Sequence, residues 1–429
     1  MQLRTTTTAN SVAQWFGADN LLRVPTDALP DTLVHEPTRR FLSEVGLPRE
    51  GGAYVRLHTD PAVWLQPVSG RLERLTASAD HLLVLGECGG HPPIFGDWLV
   101  LDAVTGQVFV VGGRYSAGSE LVTDLVASDL SVLVTFVHEL ETLRAVAADP
   151  TAHDGRRGRD VMTEVTRAVC ERMQATDPAV FTEYGDAPHW TAVLAGYGLL
   201  WAARRNHDAA ESLAFDITPE LMEDLILLPV SPEDLPPALR HEPTRRLLTT
   251  VGLPTLGYLR DSEARPLVTL RQSGSRQADD DGEPHGPAQR DLIRLGAAGR
   301  GYEILLDGPT GRIGAVVGDD FEDSPVGLLH TDLSAFYQAI WTLTSLAALW
   351  EAMQLEDEDF DDYEDDYKDE FKLDPYNPGP TDWNAFSGKF TLERIALDLL
   401  AQLDAPSVAH DATLWNVCAN DSNYGCLLG

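Results

Sequence analysis

Apolar and polar positions along this chain fall into short periodic runs punctuated by Gly, Pro, Asp and Thr. Between Leu29 and Pro48 (LPDTLVHEPTRRFLSEVGLP) the apolar residues Phe41, Leu42 and Val45 recur at helical spacing. Pro37 suits the first helical position, where a missing N–H costs nothing. Gly46 stands where a left-handed cap is expected, and Pro48 blocks continuation. The spacing predicts a helix running to Val45, with Glu36 and Arg40 placed to pair across one turn for a few tenths of a kcal/mol. Strand candidates follow. His81 to Gly86 ends in Leu-Gly, and Leu99 to Val108 reads apolar run, Asp-x-x-Thr-Gly, apolar run, which is a β-hairpin pattern. Ser128-Asp-Leu-Ser131 then opens a helix through Leu130, Leu133, Val134 and Val137, with Ser128 as the expected N-cap and Asp129 at the first helical position. A helical tail leads from Asp177-Pro178 through Trp190 to Tyr197-Gly-Leu-Leu200.

The same order of landmarks occurs a second time. LPPALRHEPTRRLLTTVGLP, Leu235 to Pro254, agrees with the first stretch at 14 of 20 positions and repeats HEPTRR unbroken. A strand candidate, Asp291 to Gly296, again ends in Leu-Gly, and Ile304 to Ile313 repeats the Asp-x-x-Thr-Gly hairpin. Thr331-Asp-Leu-Ser334 repeats the helix start, followed by Leu333, Phe336, Tyr337 and Ile340. Asp404, Trp415 and Tyr424-Gly-Cys-Leu-Leu428 repeat the tail. Self-similarity of this length means a tandem duplication. Each unit is expected to be α+β: a leading helix, several strands, a capped helix and a helical tail, spanning 10–205 and 210–429.

His35 and His241, the histidines of HEPTRR, invite a general-base reading. No nucleophile repeats beside them, and neither HExxH nor a glycine-rich phosphate loop is present, so HEPTRR reads as scaffold. Gly86-Glu-Cys-Gly-Gly-His91 brings Cys and His into one glycine-rich stretch, but its counterpart Gly296-Ala-Ala-Gly-Arg-Gly301 has neither. It reads as an inter-strand loop. The four cysteines (Cys88, Cys170, Cys418, Cys426) show neither CxxC nor a partnered histidine spacing, which points to a reduced cytoplasmic setting and away from disulfide frameworks and zinc. No catalytic residue, metal site or cofactor is expected. No apolar run approaches a membrane span of about 20 residues, and the N-terminal stretch lacks the apolar core of a signal peptide.

Charge changes the picture most. Of 429 residues, 67 are Asp or Glu and 32 Lys or Arg, a formal net charge of -35. Such a surface repels nucleic-acid phosphates and anionic membranes and attracts basic proteins, although high solubility is an equally direct reading. The acids are densest in an insertion at 355–376, absent from the first repeat, where 11 of the 15 residues from Glu356 to Glu370 are acidic. Phe360, Tyr363, Tyr367 and Phe371 recur within it at spacings of three, four and four, so a helix would carry them as one stripe. Three readings stand side by side: a solvated linker, a helix packed on its own domain, and a partner-binding element. The last would use Glu356, Asp359, Asp361, Asp362, Asp365 and Asp366 for steering and the four aromatics as anchors. EF-hand spacing is missing. A second, polar insert occupies Gln272 to Gly286.

Leu29–Pro48 with Leu99–Val108, and Leu235–Pro254 with Ile304–Ile313, together resemble the SUKH superfamily, in particular its actinobacterial fourth clade. The resemblance implies compact α+β units with a curved mixed or antiparallel sheet flanked by helices. It also implies an immunity protein of a polymorphic toxin system, which binds and occludes a cognate protein toxin such as a nuclease or deaminase. Such a basic, nucleic-acid-targeting partner would suit the acidity of the chain, with no direct nucleic-acid binding. A regulatory scaffold of the same fold, acting without a toxin, is the alternative.

Overall fold

The computed structural model describes residues 7–49, 54–60, 63–70, 79–88, 98–111, 123–148, 159–181, 189–203, 212–219, 221–222, 225–255, 267–270, 292–298, 302–317, 326–354, 395–409 and 414–415. The chain divides into two compact units, the first chiefly Met1–Gly155 with Val161–Gly198, the second chiefly Leu199–Glu351 with Ala396–Gly429.

The first unit opens with α1 (Ala9–Phe16), started by a capping box. Thr8 Oγ1 accepts from the Ser11 N–H at 3.2 Å, and Ser11 Oγ accepts from the Thr8 N–H at 2.9 Å. A two-residue antiparallel ribbon pairs β1 (Leu21–Leu22) with β2 (Leu47–Pro48). Between its strands lies the HEPTRR helix, α2 (Glu36–Arg40), which continues as a π turn through Phe41–Val45. Gly46 ends it with φ of 86°, and a Cβ there would lie 2.7 Å from the Leu22 carbonyl oxygen. Glycine is required both for its φ and for the close approach of β1.

A five-stranded antiparallel meander follows, β3 (Val55–Leu57), β4 (Leu82–Cys88), β5 (Trp98–Asp102), β6 (Val108–Val111) and β7 (Thr123–Ala127), in the order β3-β4-β5-β6-β7. One face carries Leu82, Val84, Val100 and Val111, packed with Val68 and Ala79 and edged by Trp98 and Phe109. Pleat alternation sends Leu83, Leu99, Leu101, Val108 and Val110 to the other face, and all of these are buried. Burial on both faces explains why these strands read as continuous apolar runs. Leu85-Gly86 does not end β4 as the pattern predicts. Gly86 sits at a bulge, a side chain on it would collide with the Arg56 backbone of β3, and the strand continues to Cys88. The first residues of the glycine-rich stretch are thus strand, not loop. Helices α3 (Leu130–Ala148), α4 (Arg159–Thr176) and α5 (His189–Ala202) complete the unit.

The second unit repeats this plan, with four strands described in its main sheet. A ribbon of β8 (Ile226–Leu228) and β9 (Leu253–Thr255) pairs Leu227 with Pro254, as β1 and β2 pair Leu21 with Pro48. Helix α6 (Glu242–Thr250) lies between. The Val24 N–H donates to Leu42 O at 3.1 Å, and the Val230 N–H to Leu248 O at 3.0 Å. The antiparallel sheet is β10 (Ile293–Ala298), β11 (Tyr302–Leu306), β12 (Ile313–Val317) and β13 (Gly327–His330), with its bulge again at the Leu-Gly, Arg294/Gly296. Helix α7 (Leu333–Gln354) and a helical segment at 395–403 follow. α7 buries Gln338, Trp341 and Thr342, whereas α3 leaves Thr135, His138 and Glu139 at the same places half-buried.

Candidate partner-binding surface

HEPTRR and the Asp-x-x-Thr-Gly hairpin, some seventy residues apart in each repeat, meet in space. The Val34 and His35 N–H groups both donate to Ala103 O, at 3.0 and 3.1 Å. The Arg240 and His241 N–H groups both donate to Gly308 O, each at 2.9 Å. His35 Nδ1 shares a 2.8 Å hydrogen bond with Thr38 Oγ1, and His241 Nδ1 one of 2.8 Å with Thr244 Oγ1. Each imidazole lies so close to the hairpin glycine that a Cβ on Gly106 or Gly311 would collide with it. The histidine therefore has a structural task after all: it joins helix to hairpin, and its partner glycine must have φ of 78° or 75°.

The rest of the motif divides its work differently from the expected pairing. Arg39 donates from its guanidinium to the carbonyls of Pro30, Leu33 and Thr26, each at 3.0 Å. Glu242 pairs with Arg245 at 3.6 Å, one turn position earlier than Arg246, and no Glu36–Arg40 pair forms. The i,i+3 arginine is the one facing the lead-in loop, so it takes the carbonyls and, in the second repeat, the acid.

The hairpin turn is held by Asp102. Its Oδ1 accepts from the Val104 N–H at 2.7 Å and the Thr105 N–H at 3.1 Å, and the Asp102 N–H donates to Gln107 O at 2.8 Å. Partial burial pushes the carboxyl up, but these N–H bonds, the Thr105 hydroxyl and the charge of His81 outweigh it and hold Asp102 below the ordinary value. In the second repeat Pro309 stands in the place of Val104 and has no N–H to give Asp307. Thr310 Oγ1 donates to Asp307 Oδ2 at 2.7 Å, as the Thr105 hydroxyl does to Asp102.

A second clasp ties each tail to the start of its long helix. Asp129 Oδ1 accepts from the N–H groups of Ser131 and Val132 at 2.8 and 3.0 Å, and Asp332 Oδ1 from those of Ser334 and Ala335 at 2.8 and 3.0 Å. Aspartate is thus the N-cap, one residue later than the sequence pattern predicts. The preceding residue serves the tail: the Ser128 N–H and Oγ donate to Asp177 at 2.8 and 2.9 Å. Thr331 does the same to Asp404, through its N–H at 2.8 Å and through its hydroxyl.

Three further histidines sit in structural contacts. His189 Nε2 bonds the Tyr54 hydroxyl at 2.8 Å. His138 stacks under Trp15 with ring centroids 4.3 Å apart, and burial lowers its pKa. His330 is fully buried. Trp415 Nε1–H donates to its Nε2 at 3.0 Å, and an indole can only donate. Nε2 is therefore the acceptor, and Nδ1–H donates to Asp404 Oδ2 at 2.9 Å. Burial pushes Asp404 up, yet the bonds from His330 and Thr331 hold it below the ordinary carboxyl value. This Asp–His pair resembles half of a catalytic triad, but its third member is an indole and His330 is sealed from solvent. Burial also pushes the Cys170 thiol up, away from nucleophilic use.

Two shallow depressions lie among the described residues. One, about 310 Å³, is lined chiefly by Leu292, Leu305, Val326 and Leu328. The other, about 250 Å³, lies between α3 and α4. Neither gathers histidine, cysteine or serine. Among the described residues no group of three or more His, Cys, Asp or Glu could hold a metal ion, and no helix is long and apolar enough to cross a membrane. The acidic, aromatic insertion with Glu356, Asp359, Phe360, Asp361, Asp362, Tyr363, Asp365, Asp366, Tyr367 and Phe371 lies outside the described residues, as do the insert Gln272–Gly286 and both C-terminal cysteines.

The family model described as SUKH-4 immunity protein matches residues 7–196 and again 224–421. No curated protein and no solved structure matches the chain.

Proposed function

The chain belongs to the SUKH-4 immunity protein family, and we propose that it neutralises one cognate toxin by covering the toxin's active site, with no chemistry of its own. The observation that carries this reading is the family match across both repeats. The toxin is a basic protein that acts on nucleic acid, a nuclease or a deaminase, because a net charge of -35 favours a cationic partner and disfavours direct contact with phosphates. Binding takes place in the cytoplasm. The units extend over 10–205 and 210–429, and the acids of Glu356 to Asp366 speed the encounter while Phe360, Tyr363, Tyr367 and Phe371 anchor it.

The test is co-expression with the product of each gene that flanks this one, taking those that are toxic when expressed alone. The expected result is restored growth and a stoichiometric complex whose association slows as salt is raised. Unrelieved toxicity with both proteins present and soluble would overturn the reading.

A further inference from the structure

We propose that Val34 and Val104, at the junction of the HEPTRR helix and the hairpin, form the apolar contact point of the first repeat for a cationic protein partner, and that the second repeat has lost it. The proposal rests on the immunity reading and gives it an address.

Val34 and Val104 are 62% and 58% exposed, the two most exposed of the large hydrophobic side chains among the described residues. Single exposed valines need no explanation. These two are neighbours, because the Val34 N–H donates to the carbonyl of Ala103, the residue before Val104. They are also preorganised. The helix side is locked by the His35–Thr38 bond and by Arg39 on its three carbonyls, and the turn side by Asp102 on two N–H groups. Little ordering entropy would be lost when a partner docks there.

Charge selects the partner. Asp31 and Glu36, both exposed, flank Val34, and the nearby Arg39 is turned inward onto backbone carbonyls. An apolar centre with an acidic rim fits a cationic surface bearing an apolar side chain.

The second repeat is the internal control. It keeps every backbone bond of the junction, and it changes the surface. Asp31 becomes Pro237, Val34 becomes Arg240, and Val104 becomes Pro309, with Arg240 and Pro309 both exposed. An acid and both valines are gone and a cation stands at one of their places, which repels the partner the first repeat attracts.

The test uses the full chain and the toxin identified by the co-expression assay, with Kd measured by calorimetry. Val34→Arg and, separately, Val104→Arg are expected to weaken binding at least tenfold. Their circular dichroism and melting temperature should match wild type, because both side chains already face solvent. Arg240→Val should leave Kd within twofold. Wild-type affinity in both valine variants would overturn the proposal while leaving the immunity reading intact, as would a tenfold loss in Arg240→Val alone. Failure of the wild-type chain to bind would overturn the immunity reading itself.

Discussion

His35 and Gly106 are packed so tightly that glycine is the only residue the hairpin can place against the imidazole. His241 and Gly311 reproduce the contact in the second repeat. Its two sides come from motifs that look unrelated in the sequence, and the duplication carried both together.

Replacing Gly106 by Ala adds a Cβ at φ of 78° and drives it into the imidazole. The expected cost is about 1–3 kcal/mol, read from urea denaturation. Pairing it with His35→Ala should recover the steric share and leave the backbone share. If the double variant is as unstable as the sum of the singles, the contact is not the cause.

The clasp aspartate Asp404 sets a pH dependence. Its folded carboxyl lies below the ordinary value, so its contribution is present above the unfolded pKa of about 3.9 and is lost as pH falls through the folded value. Asp404→Asn should cost roughly 1.5–3 kcal/mol at neutral pH, as for hydrogen bonds to a charged group. The gap between variant and wild type should stay level from pH 8 to 5 and close below pH 4. A gap that closes near pH 6 would assign the dependence to histidine instead.

Helix capping gives a prediction that separates neighbouring residues. Asp129→Ala removes the group that bonds two orphan N–H donors and should cost about 0.5–2 kcal/mol. Ser128→Ala leaves the cap intact and loosens only the tail at Asp177. Hydrogen exchange would therefore rise at Ser131 and Val132 in the first variant and not in the second. The same split is expected between Asp332 and Thr331.

Neutralising the acids of Glu356 to Asp366 to Asn and Gln should slow association with the toxin and flatten its salt dependence, with a smaller effect on dissociation. An unchanged association rate would remove this segment from the encounter.

Much of the fold was legible because its signals are local and occur twice. Pro37, the Phe41–Val45 stripe and Gly46 announced the helix, and Asp102-x-x-Thr-Gly announced the hairpin. The errors came where a local rule met a distant partner. Ser128 looked like a cap until Asp177 claimed it, and Glu36 was assigned Arg40 although α6 pairs Glu242 with the i,i+3 arginine instead. Leu85-Gly86 read as a strand end because a bulge depends on the neighbouring strand. The role of His35 was invisible, since nothing near it names Gly106. The valine pair is hidden for the same reason: residues 34 and 104 become neighbours only through Ala103. Its one trace in the sequence is the difference between the two copies at positions 31, 34 and 104.

The tail clasp has a consequence for how this protein can diversify. Ser128–Asp177 and Thr331–Asp404 fasten the chain on either side of the stretch that leaves the long helix. From Ser128 to Asp177 the chain runs 49 residues, and from Thr331 to Asp404 it runs 73. Closure entropy grows only with the logarithm of length, so a connection longer by that ratio costs about 0.4 kcal/mol. The clasp turns that position into a port where new sequence can be spliced in and tried against new adversaries while the domain beneath it goes on folding unchanged.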